Sequence, residues 1–415
     1  MTQDPRTAVL GLTHGSLGRL LAVLDSDGEE ARVVGGAVRN ALMGLPIAEV
    51  DIATTAVPEE VTRRCAAAGF RVVPTGIDHG TVTVIVHGTP FEVTTLREDV
   101  ETYGRRAKVA FGRDWRRDAE RRDFTINALS VTRDGRVFDY VDGLADIAAR
   151  RVRFIGDAAQ RITEDYLRIL RFFRFHAFYG TGHPDAVGLH AAIEARAGLA
   201  TLARERVRME LMKLLQAPHA TPTLASMSEA GFLVAVLGGV PTLAHFEMTA
   251  KVEAAAGVAP DPVRRLGALG ACVTEDADRL CQRLRLSNAE HARIHSIADG
   301  WWRIDPAAGD TAARALLYRL GVERFVDRVL IAWARADAGA ADPAWLRLAT
   351  LPQRWTPPAF PLRAADLIRR GVARGPLLGR ALGAAESNWI ARDFPADKAA
   401  LDGIADEAAA SVRAG

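Results

Sequence analysis

The sequence predicts an α+β protein: a small head of mixed β-sheet and helices, followed by a long all-α neck, body and tail. Three observations carry this. Short β-branched and apolar runs are confined to residues 1–147, interleaved with helical patterns. From Asp157 onward Ala, Leu and Arg recur almost entirely at helical spacing. A chain of 415 residues, 49% hydrophobic and 25% charged, is long enough for roughly two to four domains with cores of their own.

The head reads in order as follows. "ARVVGG" is a short apolar strand, and "GGAVRNALMG" turns from it into a short helix. "AEVDIATT" reads as a second strand. "VPEEVTRRCAAAGF" reads as an amphipathic helix opened by Pro58, whose missing N–H costs nothing in a first turn. "GTVTVIVHGTPFEVTTLR" gives two β-branched runs around "HGTP", a hairpin signature. Residues 99–118 are rich in Gly and Arg without clean periodicity and read as a long loop, either functional or disordered. The organisation expected is a head over 1–147, a helical neck over 148–215 and a helical body and tail over 216–415. Pro-rich "RWTPPAFPLR" (354–363) is a linker before the last helices.

Composition narrows the function classes. Cys65, Cys272 and Cys281 show neither a CxxC nor a His-rich spacing, which argues against a zinc site or disulfide framework and fits a reducing cytoplasm. No apolar run reaches membrane-spanning length, and the first residues lack the pattern of a secretory signal. Net charge is only +2, but residues 101–122 carry eight Arg/Lys against four Asp/Glu, and residues 150–215 carry twelve against seven. A local excess of this kind suits a phosphate-rich partner; an Arg-rich composition throughout would produce it as well.

Glu49 and Asp51 are the first candidates for chemistry. On a strand, residues two apart share a face, so both carboxylates would project together with Val50 behind them. Alone, such a pair reads first as a solvated strand face. A hard divalent cation such as Mg²⁺, sharing its shell with substrate phosphates, is the functional alternative. Gly35 and Gly36 at a strand-to-helix turn let backbone approach a phosphate, and Arg39 adds charge one turn later.

These residues, taken with three later segments, carry a family resemblance. "GGAVRNALMGLPIAEVDIATTA" resembles the first motif of the class II tRNA nucleotidyltransferase and poly(A) polymerase family, within the DNA polymerase beta superfamily. "RRDFTINAL" (121–129) resembles its second motif, "FDYVDGLADI" (138–147) the hinge, and "EDYLRILRFFRF" (164–175) the base-recognition helix, followed by "ERVRMEL" (205–211). The match runs over about residues 31–215. Asn40 stands where the family usually has an acid, and Glu49 where Asp is more common.

The resemblance implies a cytoplasmic CCA-adding enzyme. The 3′-hydroxyl of tRNA would attack the α-phosphate of CTP or ATP, with Mg²⁺ on Glu49 and Asp51. Glu92 is the candidate third carboxylate, because Phe91 and Val93 point the other way; a cross-strand salt bridge is the alternative. Gly36, Arg39 and Arg122 would contact the triphosphate, and Asp123 would orient arginines. On the helix 164–175, Asp165, Arg168, Arg171 and Arg174 recur every three residues as one ridge. The family reading makes Asp165 and Arg168 a protein template for the incoming base. A carboxylate accepts from the exocyclic amine that C and A present beside a ring acceptor, whereas U and G place a carbonyl at that position. Arg171 and Arg174 then lie near the phosphates or brace the helix; an internal ion-pair ladder is the other reading.

The long loop 99–118 corresponds to a family segment that takes part in the switch from C to A addition. In the C-terminal half, "DLIRRGVARGPLLGRAL" (366–382) reads as a Gly-Pro helix turn or as a grip on an RNA backbone, and Trp301, Trp302 and Trp345 read as core. No metal-phosphohydrolase signature marks a second catalytic domain. Poly(A) polymerase, a CC-only or A-only enzyme, and a non-catalytic RNA-binding protein that kept the fold are the competing functions.

Overall fold

A computed structural model describes residues 5–77, 80–103 and 106–413. The chain divides into two compact units, Met1–Val236 and Leu237–Gly415. The first is built on a seven-stranded mixed sheet. Its strands are β1 (Ala31–Val34), β2 (Asp51–Thr54), β3 (Arg71–Gly76), β4 (Thr81–Val86), β5 (Thr89–Thr95), β8 (Ser130–Thr132) and β9 (Val137–Phe138), in the order β3-β4-β5-β2-β1-β8-β9. β2 and β5 run parallel; the other neighbours are antiparallel.

The two faces of this sheet differ, and that difference creates the site. Ile52, Thr54, Val82, Val84, Val86 and Val93 are buried on one face, against the helices Gly15–Leu24 and Pro58–Ala67. The alternate residues, among them Asp51, Glu92, Thr94 and Thr81, keep access to solvent. The hairpin read from "HGTP" joins β4 to β5 through His87 and Gly88, both with positive φ (50° and 82°). Two positive φ values match the twist of paired strands, and Gly takes one of them without strain.

The structure corrects three expectations. Residues 99–118 are not a long loop. β6 (Arg97–Tyr103) and β7 (Arg106–Phe111) form an antiparallel ribbon, and the helix Trp115–Glu120 follows, capped by Asp114, whose side chain accepts from the Arg116 and Arg117 N–H groups. Residues 104–105 lie outside the described residues. Val, Thr and Tyr in one half and Val, Ala and Phe in the other suit strands, a signal that the Gly and Arg residues of the segment obscure.

The second correction concerns Glu49. It precedes β2 instead of lying in it, because Val34 pairs with Asp51 and β1 then ends as Gly35 turns away. No partner remains on β1 for Val50 or Glu49, and Val50 is only partly buried.

Third, Asp165 does not belong to the helix it was expected to open. One helix ends at Glu164, Asp165 is extended (φ −156°, ψ 106°), and the next helix runs Leu167–Tyr179. The second helix is sealed by a phenylalanine cluster. Phe124 and Phe154 lie 4.9 Å apart between ring centroids, and Phe154 and Phe172 5.3 Å. This cluster fixes the helix against the segment that follows Arg122.

The second unit is helical among its described residues. Trp333 and Trp345 stack at 6.4 Å in one core, and Trp389 centres another with Phe360 and Phe394. Arg264 is buried between Glu253 (2.6 Å) and Asp327 (3.0 Å), and Arg293 closes the set on Asp327 at 2.8 Å. Removal of any member of this set would strand a buried charge, a change that costs about 3–5 kcal/mol. Trp345 is core as expected and Trp301 is partly buried, but Trp302 is 51% exposed. Residues 355–363 run without regular structure between helices, as the prolines imply.

Candidate active site

Asp51 opens β2, and Glu92 faces it in register on parallel β5. Both carboxylates are on the exposed face of the sheet. Desolvation, and next the facing Glu92, push the Asp51 carboxyl above its ordinary value; Arg122 opposes this and Glu49 adds a smaller upward push. Two acids in register with a third nearby repel one another, a cost that a bound cation removes. Among the described residues no three His, Cys, Asp or Glu side chains converge closely enough to hold an ion by themselves. That donor set fits Mg²⁺, which is bound through one or two carboxylates while substrate phosphates complete its shell.

Beside Asp51 lies a cleft of about 550 Å³. Gly36, Arg39, Asp51, Arg122, Asp165, Arg168, Arg171 and Arg174, all expected from the sequence, line it together. Glu49 does not line it, and Glu92 faces an adjoining cleft that shares Asp51, Arg121 and Arg122. Gly35 has φ 72° and ψ −128°, and a Cβ there would stand 3.2 Å from a terminal nitrogen of Arg122. The glycine therefore permits both the turn and the approach of that guanidinium.

Arg39 is buried and fully engaged. It donates to Asn40 Oδ1 (3.1 and 2.9 Å), to the Tyr179 hydroxyl (2.7 Å) and to Asn127 Oδ1, and its guanidinium lies 3.8 Å from the centre of the Tyr179 ring. Burial, helped by nearby Arg174, pushes its pKa down to about 10, which leaves it charged at neutral pH. The Asn40 amide also donates to the Pro46 carbonyl at 2.8 Å. Asn40 thus ties Arg39 to the segment that leads to Glu49, a bond a carboxylate at position 40 could not donate.

The remaining arginines are each aimed by an acid. Buried Asp118 accepts from Arg122 (3.2 and 3.4 Å) and from Arg121. Asp123 accepts from Arg171 at 2.7 Å, the orienting role its position suggested, and buried Glu210 accepts from Arg174 at 2.5 Å. Arg168 donates to the Arg161 carbonyl (2.7 Å) and to Glu164. Arg206 grips Asp165 through two nitrogens, at 2.6 and 3.2 Å. Burial alone would raise the Asp165 carboxyl, but Arg206 and the Leu167 N–H outweigh it and hold it below the usual carboxylate value. The ladder and the template readings of these residues are therefore compatible, because the ladder's own edge lines the cleft.

Asp118, Asn127, Tyr179, Arg206 and Glu210 were not singled out from the sequence. Asp118 and Asn127 flank "RRDF" within one turn or so, and Arg206 and Glu210 both lie in "ERVRMEL", so spacing alone could have nominated them; Tyr179 gave no signal of this kind. In the second unit, Gly371 and Gly375 have positive φ (83° and 119°), Arg370 is tied to Asp402 and Asp406 at 2.6 Å each, and Arg374 is exposed.

A pair of register-matched carboxylates on a mixed sheet, next to a cleft lined by arginines, defines a nucleotidyltransferase of the polymerase beta type. Two family models match the chain. The Poly A polymerase head domain matches residues 31–153, and the probable RNA and SrmB-binding site of polymerase A matches residues 189–246. The chain is 36% identical over 392 residues to CCA tRNA nucleotidyltransferase 1, mitochondrial, of Mus musculus, spanning 91% of this chain and 87% of that protein. It is 33% identical over 374 residues to the CCA-adding enzyme of Limosilactobacillus fermentum, spanning 88% and 89%. The crystal structure of Bacillus stearothermophilus CCA-adding enzyme in complex with CTP superposes with a TM-score of 0.74 over 100% of both chains, at 27% identity. The chain belongs to the family of CCA-adding tRNA nucleotidyltransferases. Among the described residues, no single helix is long and apolar enough to cross a membrane.

Proposed function

We propose that this enzyme adds C, C and A in turn to the 3′ end of tRNA, from CTP and ATP, with release of pyrophosphate. The observation that carries the site assignment is the register match of Asp51 and Glu92 at the mouth of the arginine cleft. Asp51 with one of its two neighbours, Glu49 beside the strand or Glu92 in register, would hold Mg²⁺, which lowers the pKa of the attacking hydroxyl and offsets triphosphate charge. Arg122, held by Asp118, and Arg171, held by Asp123, face the phosphates as fixed cations and need little rearrangement when charge shifts toward pyrophosphate. Gly36 gives the backbone room at the same place. Arg39 acts from behind, as the buried strut between Asn127, Tyr179 and Asn40.

Base choice falls to the edge of the cleft where Arg206 aims Asp165. A carboxylate there accepts the exocyclic amine of cytosine or adenine, and Arg168 supplies a donor to a ring acceptor. Uracil or guanine would set a carbonyl against the carboxylate in a partly closed pocket. The neck (148–215) thus carries base recognition, and the body and tail (216–415) carry tRNA binding. A cytoplasmic site of action fits a chain without disulfide spacing; the mouse relative bears a mitochondrial name.

The test is incubation of tRNA lacking its 3′ end with CTP and ATP. Growth by three nucleotides and a stop supports the proposal. An open-ended A ladder would instead identify a poly(A) polymerase, a stop after two a CC-only enzyme, and no growth a non-catalytic RNA-binding protein.

A further inference from the structure

The arginine cleft provides for one substrate, the triphosphate. A second cleft, of about 360 Å³, adjoins it and shares Asp51, Arg121 and Arg122. Its floor is the exposed face of the sheet, and cross-strand register sets that floor in two rows. One row is Asp51 beside Glu92; the next is Ala53, Thr94 and Thr81 on β2, β5 and β4.

The chemistry of this second cleft differs from that of the first. Arg39, Arg168, Arg171, Arg174 and Arg206 line only the larger one. The smaller adds only Arg97 to the shared Arg121 and Arg122, and sets them beside apolar Val34 and Ala53, the carboxylates and threonine hydroxyls. Thr95 spends its hydroxyl on the Ala56 carbonyl at 2.8 Å. Thr81 and Thr94 bond to each other at 3.0 Å. As a pair they use one proton between them, so one O–H and several lone pairs are left for a ligand. A terminal nucleotide fits this lining, with its phosphodiester for the arginines and a sugar that both donates and accepts for the threonines.

We propose that this cleft seats the terminal nucleoside of the acceptor RNA, and that the Thr81–Thr94 pair reads its 2′-hydroxyl. The inference rests on the nucleotidyl-transfer reading of Asp51. Same-face residues on a strand are roughly 7 Å apart. A ribose with its 3′-hydroxyl toward Asp51 therefore turns its 2′-hydroxyl toward the threonine row. The 2′-hydroxyl is the one group that separates an RNA end from a DNA end, so the pair is a specificity device for the acceptor, not for the incoming nucleotide. Ala53, the small member of the threonine row, leaves space for the ring.

The experiment compares CMP transfer to tRNA ends that carry either a ribose or a 2′-deoxyribose on the last nucleotide. Wild type should favour the ribose end by about five- to tenfold in kcat/KM, the effect of one hydrogen bond. Thr81→Val/Thr94→Val should erase that preference with KM for CTP unchanged, whereas Thr81→Ser/Thr94→Ser should keep it, which separates loss of the hydroxyls from loss of the fold. Equal use of both ends by wild type, or an undiminished preference in the valine variant, overturns the proposal while leaving the activity in place. Absence of CMP transfer by wild type overturns the activity and this inference together.

Discussion

Asp51 and Glu92 occupy matching positions on the one parallel strand pair of the sheet, β2 and β5, so the enzyme holds two like charges side by side in its resting state. The carboxyl of Asp51 is raised by desolvation and then by Glu92. An acid with a higher pKa in the folded than in the unfolded chain contributes stability below the unfolded value, near 3.9, that is lost as pH rises through the folded value. At neutral pH Asp51 therefore destabilises the metal-free protein. Asp51→Asn should raise Tm at pH 7 and leave it unchanged below about pH 3.5. It should also abolish nucleotide addition and remove the gain in Tm that Mg²⁺ gives the wild type. Thermal melts at two pH values with and without Mg²⁺ check this; a lower Tm at pH 7 would contradict it.

Gly35 sits in a backbone region that side chains avoid, against Arg122. Gly35→Ala should cost about 1–3 kcal/mol in urea unfolding. Displacement of Arg122 should raise KM for CTP more than KM for tRNA. A loss of stability with both KM values unchanged would show that the turn and the guanidinium are independent.

Arg206 positions Asp165 through a two-pronged contact. Arg206→Ala should lower kcat/KM for CTP by roughly 10- to 100-fold, and Asp165→Ala should narrow the CTP-over-UTP preference. Arg206→Lys, which cannot form the fork, should recover only part of the loss. Selectivity that survives in Asp165→Ala would move base choice elsewhere.

Asn40 bonds Arg39 and the Pro46 carbonyl at once. Asn40→Asp should keep the first and lose the second, since a carboxylate cannot donate. Amide exchange over residues 43–50 should speed up while the Gly36–Leu42 helix stays protected. Unchanged exchange in that segment would show that Pro46 is held by other means.

Much of this molecule is legible in its sequence. The alternation of Val82, Val84 and Val86 and the His87–Gly88 turn are local patterns, set by backbone sterics and by which side of an element faces the core, and the four ordered motifs carry the family resemblance. Together with that resemblance, these patterns suffice to nominate Asp51, Glu92 and the arginines. Pairing across the chain was not legible. Register between β1 and β2 leaves Glu49 outside the strand, and register between β2 and β5 sets Glu92 beside Asp51. The fold also decides that Asp118, Asp123, Glu210 and Arg206 aim the charged groups of the cleft. The strand pairings depend on burying one face of a sheet whose strands are distant in sequence, and a single slip in register would turn Asp51 or Glu92 to the other face. The Arg174–Glu210 and Arg206–Asp165 pairs depend instead on how helices far apart in sequence pack. The residue types in "EVD" determined what chemistry was available; tertiary register decided that Asp51 meets Glu92 on the sheet, with Glu49 beside the strand.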